Sequence, residues 1–284
     1  MNKKLAGVVG AGTMGNGIAH VLARSNYDVI LCDREQRFLD RGMATIAKNL
    51  GREVTAGKLS QPGADAALAC IRTMVDLKAL RDCPLVIEAA TEEFSVKAAL
   101  FRELDEIVAP DAILASNTSS ISITRLAGQT KNAARVIGMH FFNPVPMMKL
   151  VEVVRGIATS DAVNKSVHEI AVELGKTPVA VNDGAGFVSN RILLPLINEA
   201  IFVVAEGVAQ PQAVDDVFKL GMAHPMGPLA LADFIGLDVC LNILRVLQQE
   251  LGDAKFHPCP LLVRMVDAGW LGRKSGKGFY DYSK

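Results

Sequence analysis

A covered, mostly parallel α/β sheet followed by an all-α region is the fold this sequence predicts, and three features carry the prediction. Short apolar runs alternate with longer segments of helical spacing from Leu5 to about residue 181, the pattern of strands joined by crossover helices. A glycine-rich turn, Gly10-Ala11-Gly12-Thr13-Met14-Gly15, follows the first run directly. After Asn182-Asp183-Gly184-Ala185-Gly186 the strand-like runs stop and long helical patterns take over.

The runs read as strands are 5–9, 28–32, 85–89, 112–115, 135–142, 149–154 and 178–181. Between the second and third, Leu39, Met43, Ile46 and Leu50 recur at steps of four, three and four and place one apolar stripe on a helix over about 35–51. The glycine-rich stretch marks a domain boundary, giving residues 1–184 and 185–284. A chain of 284 residues has room for two domains at roughly 150 residues each. Helical patterns in the second region cover about 187–206, 211–221, 229–251 and 259–268. Pro195 lies inside the first, where its missing donor predicts a kink unless 187–194 is a separate turn.

Hydrophobic residues make up 50% of the chain and charged residues 21%, a composition that supports packed cores. Thirty basic and thirty acidic residues cancel, which argues against nucleic acid or an anionic membrane as partner. The five cysteines, Cys32, Cys70, Cys83, Cys240 and Cys259, form neither a disulfide set nor a metal-binding Cys-x-x-Cys. They read as reduced thiols, and no metal site is expected. Gly10 ends the apolar run after Met1-Asn2-Lys3-Lys4 too early for a signal peptide. No stretch approaches the ~18 apolar residues of a membrane span, so a cytoplasmic location is expected.

The glycine turn is set for a dinucleotide. Gly10 permits the tight turn, Gly12 lets the backbone approach a pyrophosphate, and Gly15 allows close helix packing; the helix start at Thr13 and Met14 presents unpaired N–H groups. Three glycines in a turn also occur by chance, but here the second strand ends at Asp33, 18 residues after Gly15. An acid belongs there to hold ribose hydroxyls. Arg34 could accept a 2′-phosphate, yet Asp33 would repel it, so NAD is the expected cofactor. This is a Rossmann-type site.

Two charges interrupt apolar runs: His140 in Val136–Phe142 and Glu152 in Leu150–Val154. A buried carboxylate without a partner is costly, and pairing the two would satisfy both. The alternatives are a core histidine bonded to a backbone carbonyl and a glutamate at an exposed strand edge. His20 falls off the apolar face of its helix, and His168, His224 and His257 have no comparable setting, so these four read as structural or solvated. Ser116-Asn117-Thr118-Ser119-Ser120 follows a strand, where α/β sheets bind ligands. Helix capping is the simpler role for such a segment. Asn190 alone reads as a polar residue on an exposed helical turn.

Assembled, these residues resemble the 3-hydroxyacyl-CoA dehydrogenase family, most closely its bacterial short-chain members. The likeness rests on GAGTMG at 10–15, IEAATE at 87–92, SNTSS at 116–120, GMHFFNPVP at 138–146, LVEVVRG at 150–156, GFVSNRIL at 186–193, HPMGPL at 224–229 and GWLGRKSGKGFYDY at 269–282. It implies a Rossmann-type domain, a helical C-terminal domain forming a homodimer contact, and an active site in the cleft between them. By the same resemblance His140 is catalytic, Glu152 orients it, and Ser119 and Asn190 bind substrate. Asp33 takes the adenosine ribose, Glu92 and Lys97 lie along the cofactor, and Asn117 approaches the nicotinamide. Arg52 and Ala56 stand where close relatives carry lysine near the CoA phosphates. Arg52, with Lys48 and Lys58 nearby, could hold a phosphate and Ala56 could not; a solvated helix end is the alternative. The implied reaction is NAD-dependent interconversion of a (3S)-3-hydroxyacyl-CoA and a 3-oxoacyl-CoA, with 3-hydroxybutyryl-CoA and acetoacetyl-CoA as the expected pair. The competing readings are a dehydrogenase of free 3-hydroxyacids and a non-catalytic NAD-binding protein.

Overall fold

The structure, a computed structural model, describes residues 3–283. It divides into two compact units that meet in sequence between Gly184 and Ala185.

The first unit is built on one eight-stranded sheet in the order β3-β2-β1-β4-β5-β6-β7-β8. In chain order its elements are β1 (Lys4–Val9), α1 (Thr13–Arg24), β2 (Tyr27–Cys32), α2 (Gln36–Thr55), α3 (Gln61–Ala69), β3 (Ile71–Met74), β4 (Leu85–Glu88) and α4 (Phe94–Ile107). They continue with β5 (Ile113–Ser116), α5 (Ile123–Ala127), β6 (Val136–Phe141), β7 (Leu150–Arg155), α6 (Asp161–Glu173) and β8 (Thr177–Asn182). Neighbours from β3 to β6 pair in parallel, β7 runs antiparallel to β6, and β8 is parallel to β7. The parallel strands therefore share one carboxyl edge, from which the glycine turn and the 117–120 segment both emerge.

The central strands are buried nearly throughout, as covered parallel strands require. Leu39, Ile46 and Leu50 of α2 are buried with Ile18 and Leu22 of α1 in the same core. Truncating a buried leucine of this kind costs about 2–5 kcal/mol. The helix runs on to Thr55, past the residue-51 end expected from the apolar stripe, and so carries Arg52. Four elements have no counterpart in the apolar pattern: α3, β3, α4 and α6. The edge strand β3, Ile71-Arg72-Thr73-Met74, buries only Ile71 fully and offers no continuous apolar run. Of the two alternatives for His20, structural or solvated, the structure has the first: it is buried in α1 with Nε2 3.2 Å from Glu53 Oε1. Burial outweighs the Glu53 charge and holds the imidazole below its ordinary pKa.

The second unit contains α7 (Ser189–Ala205), α8 (Pro211–Asp216), α9 (Pro228–Ile235), α10 (Leu237–Leu251) and α11 (Pro260–Asp267) around its own core. Pro195 sits inside α7, which is one continuous helix from Ser189, so 187–194 is not a separate turn. The expected helix over 229–251 is two, divided at Gly236, whose φ of 105° no other residue adopts cheaply. The helix expected over 211–221 ends at Asp216 and widens into a π-helical segment, Val217–Gly221. Among the described residues no helix is long and apolar enough to cross a membrane.

Candidate active site

The glycine turn has the backbone its sequence demands. Gly10 has φ of +98°, and a Cβ on Gly15 would overlap the Gly10 carbonyl oxygen, so neither position accepts a side chain without moving the turn. Nothing lies within 4 Å of a Cβ built on Gly12, which leaves open space beside the start of α1. The turn forms one wall of a cleft of about 1190 Å³ that Gly10, Gly12, Thr13, Met14 and Asp33 line. Apolar side chains of Phe38, Val75, Leu77, Val96 and Leu100 line it elsewhere, with the charged Arg34, Arg41, Asp76, Glu93 and Glu103 among them. The sequence reading missed these apolar residues because each is an ordinary apolar side chain. Open backbone N–H groups, an acid after the second strand and apolar side chains along the cleft fit an adenine dinucleotide.

Asp33 is fixed by the turn it serves. Its Oδ2 accepts from Ala11 N at 2.7 Å and its Oδ1 from Arg34 N at 2.7 Å, leaving each oxygen capacity for a further donor. The Arg34 side chain is 78% exposed, 3.4 Å from Glu35 and over the Phe38 ring. A 2′-phosphate beside Asp33 would have to draw this guanidinium from those neighbours.

Glu92 and Lys97 lie at the same sheet edge but serve the protein's own framework. The Lys97 ammonium is buried, donating to Glu88 Oε1 at 2.7 Å and Oε2 at 3.0 Å, with Glu92 Oε2 at 3.5 Å. Glu88 also accepts from Ala90 N at 2.6 Å and Ser116 Oγ at 2.7 Å. Glu92 Oε1 gathers the backbone and hydroxyl donors of Ser119 and Ser120 and the hydroxyl of Thr118, all within 3.1 Å. Burial pushes the Glu92 carboxyl up, but Lys97 and these donors outweigh it and hold it below the usual carboxylate range. The 116–120 segment is thus bound by two acids, and the cap of α5 is Ser122 instead. Glu88 was missed although it carries the same signal as Glu152, a charge inside an apolar run, here 85–89.

His140 and Glu152 face each other as a register pair of the antiparallel β6–β7 ladder. His140 Nδ1 lies 2.7 Å from Glu152 Oε2, with both side chains buried. Neither a backbone carbonyl at Nδ1 nor an exposed edge for Glu152 applies. The Phe142 ring tilts against the imidazole at 4.6 Å between centroids. Asn117 Oδ1 accepts from Phe141 N at 2.9 Å, tying the 116–120 segment to the residue after His140. Asn117, Ser119, His140 and Glu152 are thereby joined through one strand edge of the first unit. Chemically, this is an imidazole oriented at one nitrogen by a carboxylate, beside a bed of hydroxyls and amides.

The remaining candidates stand elsewhere. Asn190 is at the start of α7 in the second unit, where its N–H donates to Gly186 O at 3.1 Å. Lys48 and Arg52 lie one turn apart on α2 and Lys58 follows that helix, all three exposed. Arg52 Nη1 reaches Asn49 Oδ1 at 3.3 Å.

Comparison with known proteins covers both units. The profile of the 3-hydroxyacyl-CoA dehydrogenase NAD binding domain matches residues 5–184, and that of the C-terminal domain of the same family matches 186–282. A probable 3-hydroxybutyryl-CoA dehydrogenase of Deinococcus radiodurans is 57% identical, with 97% of this chain and 99% of that protein covered. The 3-hydroxybutyryl-CoA dehydrogenase of Bradyrhizobium diazoefficiens is 53% identical, with 98% and 95% covered. The crystal structure of the (S)-3-hydroxybutyryl-CoA dehydrogenase of Ralstonia eutropha superimposes with a TM-score of 0.96 at 48% identity, covering 100% of both chains.

Proposed function

The chain belongs to the 3-hydroxyacyl-CoA dehydrogenase family, and from that premise we propose that it interconverts (3S)-3-hydroxybutyryl-CoA and acetoacetyl-CoA with NAD as hydride carrier. The observation that carries the reading is the buried 2.7 Å contact between His140 Nδ1 and Glu152 Oε2. An imidazole held this way at Nδ1 has its other nitrogen as the natural site of proton exchange with a substrate hydroxyl.

The bound nicotinamide supplies and accepts hydride at substrate C3. Gly10, Gly12, Thr13, Met14, Gly15 and Asp33 would hold the dinucleotide, with Asn117 at the nicotinamide end. Glu92 and Lys97 act from beneath it by fixing the segment that carries Asn117 and Ser119. In oxidation His140 takes the proton of the 3-hydroxyl through Nε2, and in reduction it returns that proton to the 3-oxygen. Glu152 keeps the ring oriented and stabilises the imidazolium while the proton is held there. Ser119 and Asn190 hold substrate oxygens so that C3 is aligned for transfer. Lys48, Arg52 and Lys58 offer the CoA phosphates a cationic surface.

Steady-state rates with acetoacetyl-CoA and free acetoacetate, each with NADH and NADPH, test this. The thioester with NADH should give the highest kcat/KM. Asp33→Ala should narrow the NADH-over-NADPH ratio by roughly fivefold, the effect of one ~1 kcal/mol like-charge contact in water. Faster turnover of the free acid would transfer the chain to hydroxyacid chemistry, and an NADPH value at or above that of NADH would refute the role given to Asp33.

The assembly we infer is a symmetric homodimer formed by the second unit, in the cytoplasm. Ile192, Val208, Val217, Leu220 and Met222 are exposed there at 56–86%, apolar area of the kind an isologous contact covers. Five free, buried cysteines suit a reducing compartment. Light scattering at micromolar concentration should give twice the 30.3 kDa chain mass; the single mass would overturn the dimer.

A further inference from the structure

Lys176 joins α6 to β8 and is 92% buried, with 8% of its surface exposed. Among the described residues no carboxylate forms an ion pair with it. Its Nζ donates to two backbone carbonyls, those of Val145 and Met148, the latter at 2.8 Å. Burial pulls the ammonium below the ordinary lysine range, the mark of a charge whose surroundings do not compensate it. A long apolar side chain would fill this place without that penalty, so the ammonium's use lies in what it holds.

What it holds is the connection between the two strands of the His140–Glu152 pair. Residues 142–149 link β6 to β7, and their own internal backbone bonds are Met147 N and Met148 N to Pro144 O, at 2.9 and 3.0 Å. The far end of this segment is tied to β8, where Thr177 N donates to Lys149 O at 2.7 Å, but these bonds do little to fix the height of residues 142–148 over the sheet. Lys176 grips it at Val145 and Met148. Val145 in turn is buried against α1, where a Cβ on Gly17 would come within 2.8 Å of Val145 Cβ. Phe142, the first residue of the segment, rests on the His140 ring. A chain of contacts thus runs from Lys176 through the connection to the imidazole on one side and to the helix that opens the glycine turn on the other.

We infer that Lys176 is a positioning residue for proton transfer: by pinning residues 142–149 it holds Phe142 against His140 and sets the imidazole's place relative to α1. The inference rests on the reading of His140 and Glu152 as the proton-transfer pair. Lys176 bonds to the segment between the two members of that pair and acts through it. Misplacement of a catalytic group by ~1 Å can cost about 10²-fold in rate, so a loosened segment has a large effect available to it.

The test compares Lys176→Met in the parental enzyme and in a His140→Ala background, reading kcat for acetoacetyl-CoA reduction, NADH affinity by fluorescence, and the thermal midpoint. In the parental enzyme kcat should fall about tenfold or more, with NADH affinity within about twofold because the glycine turn is untouched. In the His140→Ala background the further loss should be less than about twofold, since the group being positioned has gone. A purely structural lysine would cost the same factor in both backgrounds, and that result overturns the inference. So does an unchanged kcat for Lys176→Met when His140→Ala is impaired. Parental rates in His140→Ala alone would instead overturn the reading of the pair, a result visible without any change at Lys176, and the inference would fall with it. Should Lys176→Met not fold, Lys176→Gln, which keeps an amide donor in a shorter side chain, must show the same pattern, and equal losses in the two backgrounds would count against Lys176 in the same way.

Discussion

Two of the buried acid–base pairs in the first unit, Glu88–Lys97 and Glu152–His140, differ in the chemistry of the basic partner. At the end of β4, Glu88 meets Lys97 at 2.7 Å and also accepts from Ala90 N and Ser116 Oγ, so its oxygens are used by the protein itself. On β6 and β7, Glu152 meets His140 at the same 2.7 Å, but the basic partner here is an imidazole. A lysine ammonium saturated with internal acceptors stays charged and rigid, which suits a scaffold. An imidazole can gain and lose a proton near neutral pH, which suits turnover. The 2.7 Å contact alone does not separate the pairs; the chemistry of the basic partner does.

That contrast breaks most visibly at His140. His140→Ala should lower kcat by roughly 10²–10⁴ and leave NADH binding intact, measured by steady-state kinetics and fluorescence titration. A loss of NADH affinity of the same size would mean that this pair, too, is scaffold. Lys97→Met should behave in the opposite way, stranding the Glu88 carboxylate and costing about 3–5 kcal/mol in denaturant unfolding. If stability were unchanged and only kcat fell, Lys97 would belong with the reacting groups.

Glu92, at the rim of the scaffold pair, sharpens the comparison through pH. Its pKa is lowered from 4.5 in the folded protein, with Lys97 and the Thr118, Ser119 and Ser120 donors outweighing burial. Its stabilisation is therefore fully present above about pH 4.5 and lost as pH falls through the lowered value. Glu92→Gln should cost about 1 kcal/mol near neutrality after solvent screening, and the gap between variant and parent should close in acid. A gap constant with pH would show that the carboxylate's charge is irrelevant there. The smallest effect expected is that of Glu152→Gln once His140 is already alanine: little further change in kcat. Fully additive losses would show Glu152 working apart from the imidazole.

Much of this was readable from residue types at fixed places. The glycine turn, Asp33 and the seven apolar runs specify local backbone and burial, and those are determined by a residue and its near neighbours. Where an element depends on distant partners, the pattern fell silent. The strand Ile71–Met74 is an edge strand with one face open, and just after the break at Gly236 Leu237 N donates to the distant Leu271 O at 3.4 Å. His20 sits off its helix's apolar stripe, yet the neighbouring helix buries it beside Glu53.

The sequence by itself determined that a dinucleotide turn precedes an acid at the right distance, that two charges lie inside apolar strands, and that motifs of one family run the length of the chain. Tertiary structure decided which charges meet. His140 and Glu152 are 12 residues apart and Glu88 and Ser116 are 28 apart, and only the strand order and the antiparallel register bring each set within hydrogen-bond reach. The same packing turned the buried Lys97 ammonium to Glu88 and buried Lys176 against the segment joining β6 to β7. A residue's charge is a local property, written in its type; its partner is a matter of which distant segments share a sheet edge, and that is fixed only when the whole sheet forms.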